Sequence, residues 1–333
     1  MFRAQLINDP FDDPGIYVEF QHKKEAILFD LGYLHHFSTR KLLKIDHIFV
    51  SHTHMDHFIG FDHLLRVCLG RDQHIFLFGP PGFIKNVESK IGAYTWNLVE
   101  NYSNNFVIEV TEVHENRKRI NRYRCQRAFE PEVAAEAEDF NGTLADRNDF
   151  TVKGVFLDHK IPSLAYSIEE KKHINIKKNV LDEMGLPVGA WLGELKNKIL
   201  RGESDDTPVN VWWKNQNKQI PVKTLPLGKL KEKIIRITPG KKISYITDAV
   251  YNEDNARKII GLARASDMIF IEAPFLEKDA ETALRKYHLT AKQAGDLARR
   301  AGAKNMTIFH FSPKYRGQKD LLLEEAMKAF NQD

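Results

Sequence analysis

The chain is predicted to fold as a layered α/β protein, on three observations. Short apolar runs alternate with helical periodicities near its start, the same alternation returns near its end, and histidines and aspartates stand where several apolar runs give out. Such an order packs helices against sheets, and functional groups gather at the strand ends. With 333 residues and 42% hydrophobic content the chain can bury a full core, as one large domain or one domain with an appendage.

Taken in order, residues 16–20 and 26–31 are short apolar strands between turn residues, and a third strand ends at Ser51. Residues 60–69 place Phe61, Leu64, Leu65 and Cys68 on one helical face. Residues 74–78 read as a strand, and Gly79-Pro80-Pro81-Gly82 turns the chain into a helix over 83–91. Residues 117–150 become Arg-rich, then acidic and Ala-rich, which predicts a surface insertion. Residues 151–157 alternate as a strand, with 164–168 as its antiparallel partner. The polar stretch 170–233 reads as an excursion whose residues 181–200 form a short helical hairpin. Regular alternation then resumes: strand 243–247, helix 253–265, strand 268–271, helix 290–301, strand 306–309.

The formal net charge of +4 is compatible with a polyanionic partner but too weak to demand one. Of the two cysteines, Cys68 lies among apolar neighbours, so a reduced thiol in a cytoplasmic protein is the simplest account. No run of about eighteen uncharged apolar residues occurs, so a soluble, unexported protein with no membrane partner is expected.

The densest chemistry is His52-Thr53-His54-Met55-Asp56-His57, directly after the apolar residues Ile48, Phe49 and Val50. A loop leaving a buried strand can gather such side chains around an ion without the spacing a helix imposes, so the cluster reads as half of a two-metal site rather than as a polar loop with accidental histidines. The remaining ligands are sought at other strand ends. His159, Asp248 and His310 each stand there. Singly, a strand-end Asp is more often a cap and a strand-end His more often meets solvent; their joint occurrence in this order is what favours a metal centre.

With its flanking residues, that order resembles the ribonuclease Z branch of the metallo-β-lactamase superfamily, over most of the chain. The carrying segments are His52 to His57 followed by Gly60 and a Leu-Leu-Arg helix, Phe78-Gly79-Pro80-Pro81-Gly82, and His159 to Tyr166. Three more are Glu272-Ala-Pro, His288-Leu-Thr-Ala and His310-Phe-Ser-Pro-Lys-Tyr315. The resemblance implies a four-layer αββα sandwich of the metallo-β-lactamase type formed by one domain over 1–333, with a protruding inserted arm over 170–233. It implies two divalent ions: His52, His54 and His159 on one, Asp56, His57 and His310 on the other, Asp248 bridging both. Imidazole and carboxylate suit zinc, with manganese or iron as alternatives. Two such ions about 3.5–4 Å apart can share a hydroxide and offset charge developing at phosphorus.

Asp56 would orient or deprotonate the nucleophile, and His288, oriented by Glu272, would protonate the leaving 3′-oxygen; from the bare sequence His288 is more simply a neighbour of a helix cap. Asp30, in Leu-Phe-Asp-Leu-Gly, is a candidate partner of a ligand histidine or a turn cap. Lys314, Tyr315, Lys196, Lys198 and Arg201 are candidate substrate contacts, the last three also readable as a solvated helix face. The Arg-rich run 117–127, with Tyr123 interleaved, could touch RNA or be a solvated loop. Thr247-Asp248-Ala249 stands where the family has Gly-Asp-Thr, Ile271-Glu272-Ala273-Pro274 where it has His-Glu-Ala-Thr, and Gly189-Ala190 where its arm has Gly-Pro. The function implied is a metal-dependent phosphodiesterase removing tRNA 3′-trailers. The alternatives are the same hydrolase on a small cyclic or lipid phosphodiester or an ester, and a non-catalytic binding module, against which stands the filling of every expected ligand position. Relatives are commonly homodimers in which one subunit's arm serves the other's site.

Overall fold

The computed structural model describes residues 2–20, 24–171, 173–215 and 218–332. The chain divides into two compact units, one of Met1–Glu170 with Lys241–Asp333 and one of Lys171–Gly240.

The larger unit holds two mixed sheets, one of eight strands and one of six. In the first, Phe2–Leu6, Ile16–Phe20 and Ala26–Phe29 run antiparallel, and Ala26–Phe29, Ile45–Phe49, Gln73–Gly79 and Phe106–Val113 run parallel. Helices connect the parallel strands, as parallel pairing requires. In the second, Lys242–Ile246, Met268–Glu272 and Met306–Phe309 are parallel neighbours; Pro162–Glu170, Phe150–Asp158 and Thr143–Asp146 continue the sheet antiparallel.

Alternation along each strand builds the layers. Ile16, Val18, Phe29 and Phe49 face Tyr166, Tyr245, Phe270 and Phe309 between the sheets. The residues between them, such as Leu28, Ile48 and Leu77, pack on Leu64 and Leu65 of helix Phe61–Cys68 and Val87 of helix Phe83–Gly92. On the far side Ile246, Ile271 and Ile308 pack under Ile259, Leu297 and Ala326 of helices Glu253–Ala263, Ala291–Arg300 and Lys319–Phe330. Helix, sheet, sheet, helix is the expected four-layer order.

Residues 117–150 depart from expectation. They are not a surface insertion: Arg117–Arg124 and Pro131–Asp139 complete the first sheet, and Thr143–Asp146 edges the second. The charge pattern that suggested an excursion is cross-strand pairing on a sheet face, with Arg122 2.7 Å from Glu109 and Arg124 3.4 Å from Glu132. Tyr123, read as a candidate RNA contact, is buried with its hydroxyl donating to Glu88 at 2.8 Å.

The smaller unit has its own core of Leu181, Trp191, Leu195, Val211, Leu230 and Ile234. It pairs strand His173–Ile176 with Ile235–Thr238 and Pro208–Asn215 with Lys218–Pro226, beside helices Lys178–Glu183, Trp191–Leu200 and Leu227–Ile234. Among the described residues no helix is long and apolar enough to cross a membrane. Both cysteines are buried and free, and burial pushes the Cys68 thiol up to about 12, which keeps it protonated.

Candidate metal centre

Four parallel strands deliver most of the cluster from their C-terminal ends. Ile45–Phe49 leads through Val50 and Ser51 into His52, and His54 stands, its side chain free of any capping bond, just before the short helix Met55–Phe58 that carries Asp56 and His57. The turn is fixed from outside, because the Leu31 N–H donates to His57 O at 2.8 Å and the Gly60 N–H donates to Leu31 O at 2.7 Å. The second sheet contributes Asp248 after Lys242–Ile246, Glu272 at the end of Met268–Glu272 and His310 after Met306–Phe309. His159 follows the antiparallel strand Phe150–Asp158. Asp248 and His310 have φ of +45° and +62°, a region that costs a non-glycine residue roughly 1–2 kcal/mol and recurs at functional sites. With threonine at 247, the left-handed residue of this turn is Asp248 itself, and Thr247 donates its hydroxyl to Asp248 Oδ1 at 2.8 Å.

Asp248 lies between two histidine groups. Its Oδ2 is 3.2 Å from His159 Nε2 and 3.5 Å from His52 Nε2; its Oδ1 is 3.0 Å from His310 Nδ1 and 3.5 Å from His57 Nε2. His54 joins the first group, and Asp56, whose Oδ2 is 3.2 Å from His310 Nε2 and 3.4 Å from His57 Nε2, joins the second. His52 Nε2, His57 Nε2 and His310 Nδ1 are buried with no hydrogen-bond partner among the described residues. Buried polar atoms are rarely left so, and three imidazole nitrogens aimed at one carboxylate make a donor set that divalent metal fits.

The ligands are held from behind. Asp30, fully buried, accepts from Ser51 N at 2.6 Å, Ser51 Oγ at 2.9 Å, His57 Nδ1 at 2.8 Å and Tyr245 Oη at 2.8 Å. His159 Nδ1 donates to Tyr287 O at 2.7 Å. Each bond leaves the other ring nitrogen, Nε2, facing the cluster. Burial lowers His52 to about 2, reinforced by the neighbouring imidazole His57, so this ring is neutral. Burial also pulls His57 down, but Asp248 and Asp30 overcome it and raise His57 to about 10 in the metal-free protein. Burial would raise Asp56, yet the hydrogen bond from His310 and the charges of His57 and His310 hold its carboxyl below the usual range.

His288 and Glu272 sit against this cluster. Glu272 Oε1 accepts from the Ala249 and Leu289 N–H groups at 2.9 and 3.2 Å, and Oε2 accepts from His288 Nδ1 at 2.8 Å. Glu272, His288, Asp248 and His310 lie close enough together to hold an ion, but both Glu272 oxygens are already engaged by hydrogen bonds, which suits it to orient the imidazole. Burial lowers the His288 pKa, but Glu272 outweighs it and the net shift is upward. Thr290, with Gln293, closes the capping box of the following helix, so the cap is made without His288.

The other candidates lie differently. Tyr315, expected to touch substrate, is 1% exposed, with its hydroxyl on Asp279 and accepting from the Leu276 N–H. It is a packing residue because its ring fills the core under helix Lys319–Phe330. Lys314 is 2.7 Å from Asp279. In the smaller unit Lys196 and Lys198 lie on helix Trp191–Leu200 with Arg201 at its C-cap, and Lys198 pairs with Glu203 at 3.0 Å. Asp13, whose carboxyl is raised first by burial and next by Asp56, also borders the centre. No local pattern in the sequence distinguishes Asp13, Tyr245 or Ser51.

No protein-family model matches the chain. It is 27% identical over 322 residues to a ribonuclease Z of Deinococcus radiodurans, covering 95% of this chain and 92% of that one. In structure it is similar to the metallo-β-lactamase fold protein YhfI from Bacillus subtilis, with a TM-score of 0.55 and 14% identity over 99% of this chain and 94% of that one. It is likewise similar to the short form of human tRNase Z, with a TM-score of 0.53 and 18% identity over 95% and 94%.

Proposed function

We propose that this chain, a ribonuclease Z-like hydrolase of the metallo-β-lactamase fold, is a phosphodiesterase that removes 3′-trailers from precursor tRNA. The observation that carries the reading is the two-faced placement of Asp248: Oδ2 toward His52 and His159, Oδ1 toward His57 and His310. On this reading His52, His54 and His159 would hold one divalent ion, most simply zinc, and Asp56, His57 and His310 a second, with Asp248 placed to serve either group. Bound metal would supply an activated water at neutral pH and offset the charge that develops at phosphorus.

The chain's own residues do the rest. Asp56, at 39% the most exposed carboxylate of the cluster, against 3% for Asp248, orients the attacking water. Glu272 holds His288 Nδ1, which leaves Nε2 to hand a proton to the leaving 3′-oxygen. The raised His288 pKa keeps that proton available near neutral pH. Lys196, Lys198 and Arg201 are candidate contacts to the RNA backbone, where basic groups position rather than specify.

A second reading keeps the hydrolase and exchanges RNA for a small or lipid phosphodiester. It draws on the pairing of Lys198 with Glu203, which spends one of the arm's cations, and on Gly189-Ala190 in place of the family's Gly-Pro. The two are separated by offering zinc-loaded protein and its His54→Ala variant a 3′-extended precursor tRNA beside bis(p-nitrophenyl) phosphate. Cleavage at the discriminator end, absent in the variant, is expected. Hydrolysis of the small diester alone would discard the tRNA reading and keep the hydrolase.

A further inference from the structure

The strands that deliver His159 and Asp248 are not neighbours. In the second sheet Pro162–Glu170 lies between them, and its ladder to Lys242–Ile246 ends at Tyr166 and Tyr245, three residues before Asp248. The hairpin of Phe150–Asp158 and Pro162–Glu170 runs on past that point to its tip, where His159 stands. Sheet pairing therefore leaves the distance between the two side chains open, yet His159 Nε2 lies 3.2 Å from Asp248 Oδ2.

Asn255, 1% exposed, spans the gap. Its Oδ1 accepts from the Asp158 N–H at 2.9 Å, and its Nδ2 donates to Asp158 O at 3.0 Å and to Val250 O at 2.8 Å. One carboxamide, with both of its N–H donors in use, thus grips both backbone groups of the residue before His159 and the carbonyl two residues after Asp248. The Val250 N–H adds a bond to Asp158 O at 3.0 Å. The helix that carries Asn255 does not call for this side chain. Asn255 is the third residue of helix Glu253–Ala263, where asparagine is a poor helix former and Glu or Gln would complete a capping box. The cap is made by Asn252, whose side chain accepts from the Asn255 N–H at 2.8 Å. Joining the two loops accounts for Asn255; propensity and capping do not.

We propose that Asn255 is a positioning residue of the metal centre: it fixes the His159 loop against the Asp248 loop and so sets the ligand geometry of the group His52, His54, His159 and Asp248. It acts through the two loops, not as a ligand. The inference rests on the two-ion reading above and is independent of the substrate. Ligand distances tolerate only about 0.2 Å, so loops released from one another make a weaker site. On the other side of Asp248 the His57 ring is held by Asp30 at 2.8 Å, so the two groups are positioned by separate residues. Zinc competition with a chromophoric chelator, read beside urea midpoints, tests this on the full-length parent, Asn255→Ala and Asn252→Ala. Asn252→Ala removes the helix cap and leaves both loop contacts, so it controls for destabilisation alone. Two zinc ions per chain are expected in the parent. In Asn255→Ala one of them should weaken about 10–100-fold, the loss that follows when the groups behind a ligand are removed, with a lesser loss at the other. Asn252→Ala should lower the urea midpoint and leave both zinc affinities at the parent's values. Asn255→Asp, of equal size, turns a carboxylate oxygen toward the two carbonyls and should weaken zinc at least as much; it serves where the alanine variant does not fold. Asn255 variants that bind both ions as tightly as the parent, equal losses at both ions, or an Asn252→Ala that weakens zinc as much as Asn255→Ala would overturn the proposal. Fewer than two ions in the parent would instead overturn the two-ion reading on which it rests.

Discussion

Replacing Asp30 tests how the centre is held, because Asp30 is no ligand yet accepts four hydrogen bonds at 2.6–2.9 Å with no exposure to solvent. Asp30→Ala strands the Ser51 N–H and leaves the Tyr245 hydroxyl without its acceptor, whereas Ser51 Oγ keeps His52 Nδ1 at 3.0 Å and His57 Nδ1 keeps only the longer contact to Ser51 Oγ at 3.3 Å. Each stranded buried donor costs about 1–3 kcal/mol, and removing one member of a buried ion pair about 3–5 kcal/mol. Because these terms share the His57 contact they are not summed; a loss of about 3–5 kcal/mol in the metal-free protein is expected. Freed of its partner, His57 also loses its ring orientation, and zinc affinity should fall about 10–100-fold. Urea unfolding of chelator-treated protein reads the first quantity, and zinc competition with a chromophoric chelator reads the second. Asp30→Asn, which keeps the volume, serves where the alanine variant does not fold. A change below about 1 kcal/mol with unaltered zinc affinity would refute the reasoning, since it lies beneath the cost of even one stranded donor.

Three further outcomes follow from the geometry. In Gly60→Ala the new Cβ would meet Gly32 O at 2.2 Å and Leu34 Cγ at 2.8 Å, so overpacking should cost about 1–3 kcal/mol and displace the loop tied to His57; a thermal midpoint equal to the parent's would contradict this. In metal-free protein His57 is raised from 6.5 to about 10, so its stabilising contribution is complete below about pH 6.5 and is lost as pH rises through about 10. Metal binding needs the neutral imidazole, so zinc-loaded protein should not show that decline in a thermal-melt series against pH. Substituting Lys196, Lys198 and Arg201 by Ala together should raise KM for precursor tRNA and flatten its salt dependence while sparing bis(p-nitrophenyl) phosphate, whereas equal loss on both substrates would place these residues in the fold rather than in RNA binding.

What could be read in the sequence was what repeats along a strand or ends one. The density of His52 to His57 after a buried run, and the polar residues that close strands at His159, Asp248 and His310, mark the places where backbone periodicity gives out. Asp30 was legible for the same reason. Tyr245 and Thr247 were not, because their roles depend on pairings more than two hundred residues away or on a left-handed turn at Asp248 that no local pattern announces. Residues 117–150 misled because opposite charges facing each other across strands look, in one dimension, like a solvated loop. Tyr315 misled because a tyrosine beside a ligand histidine can turn either way, and here it turns into the core.

The most direct measurement is metal content by plasma emission, alongside turnover, for the parent chain, His54→Ala and His288→Ala. Two ions per chain in the parent, loss of metal and turnover together in His54→Ala, and full metal with lost turnover in His288→Ala are expected, because Glu272 engages His288 Nδ1 by a hydrogen bond at 2.8 Å. Loss of metal in His288→Ala would contradict the division between ligands and proton donor, and a parent chain that takes up no zinc would contradict the centre itself.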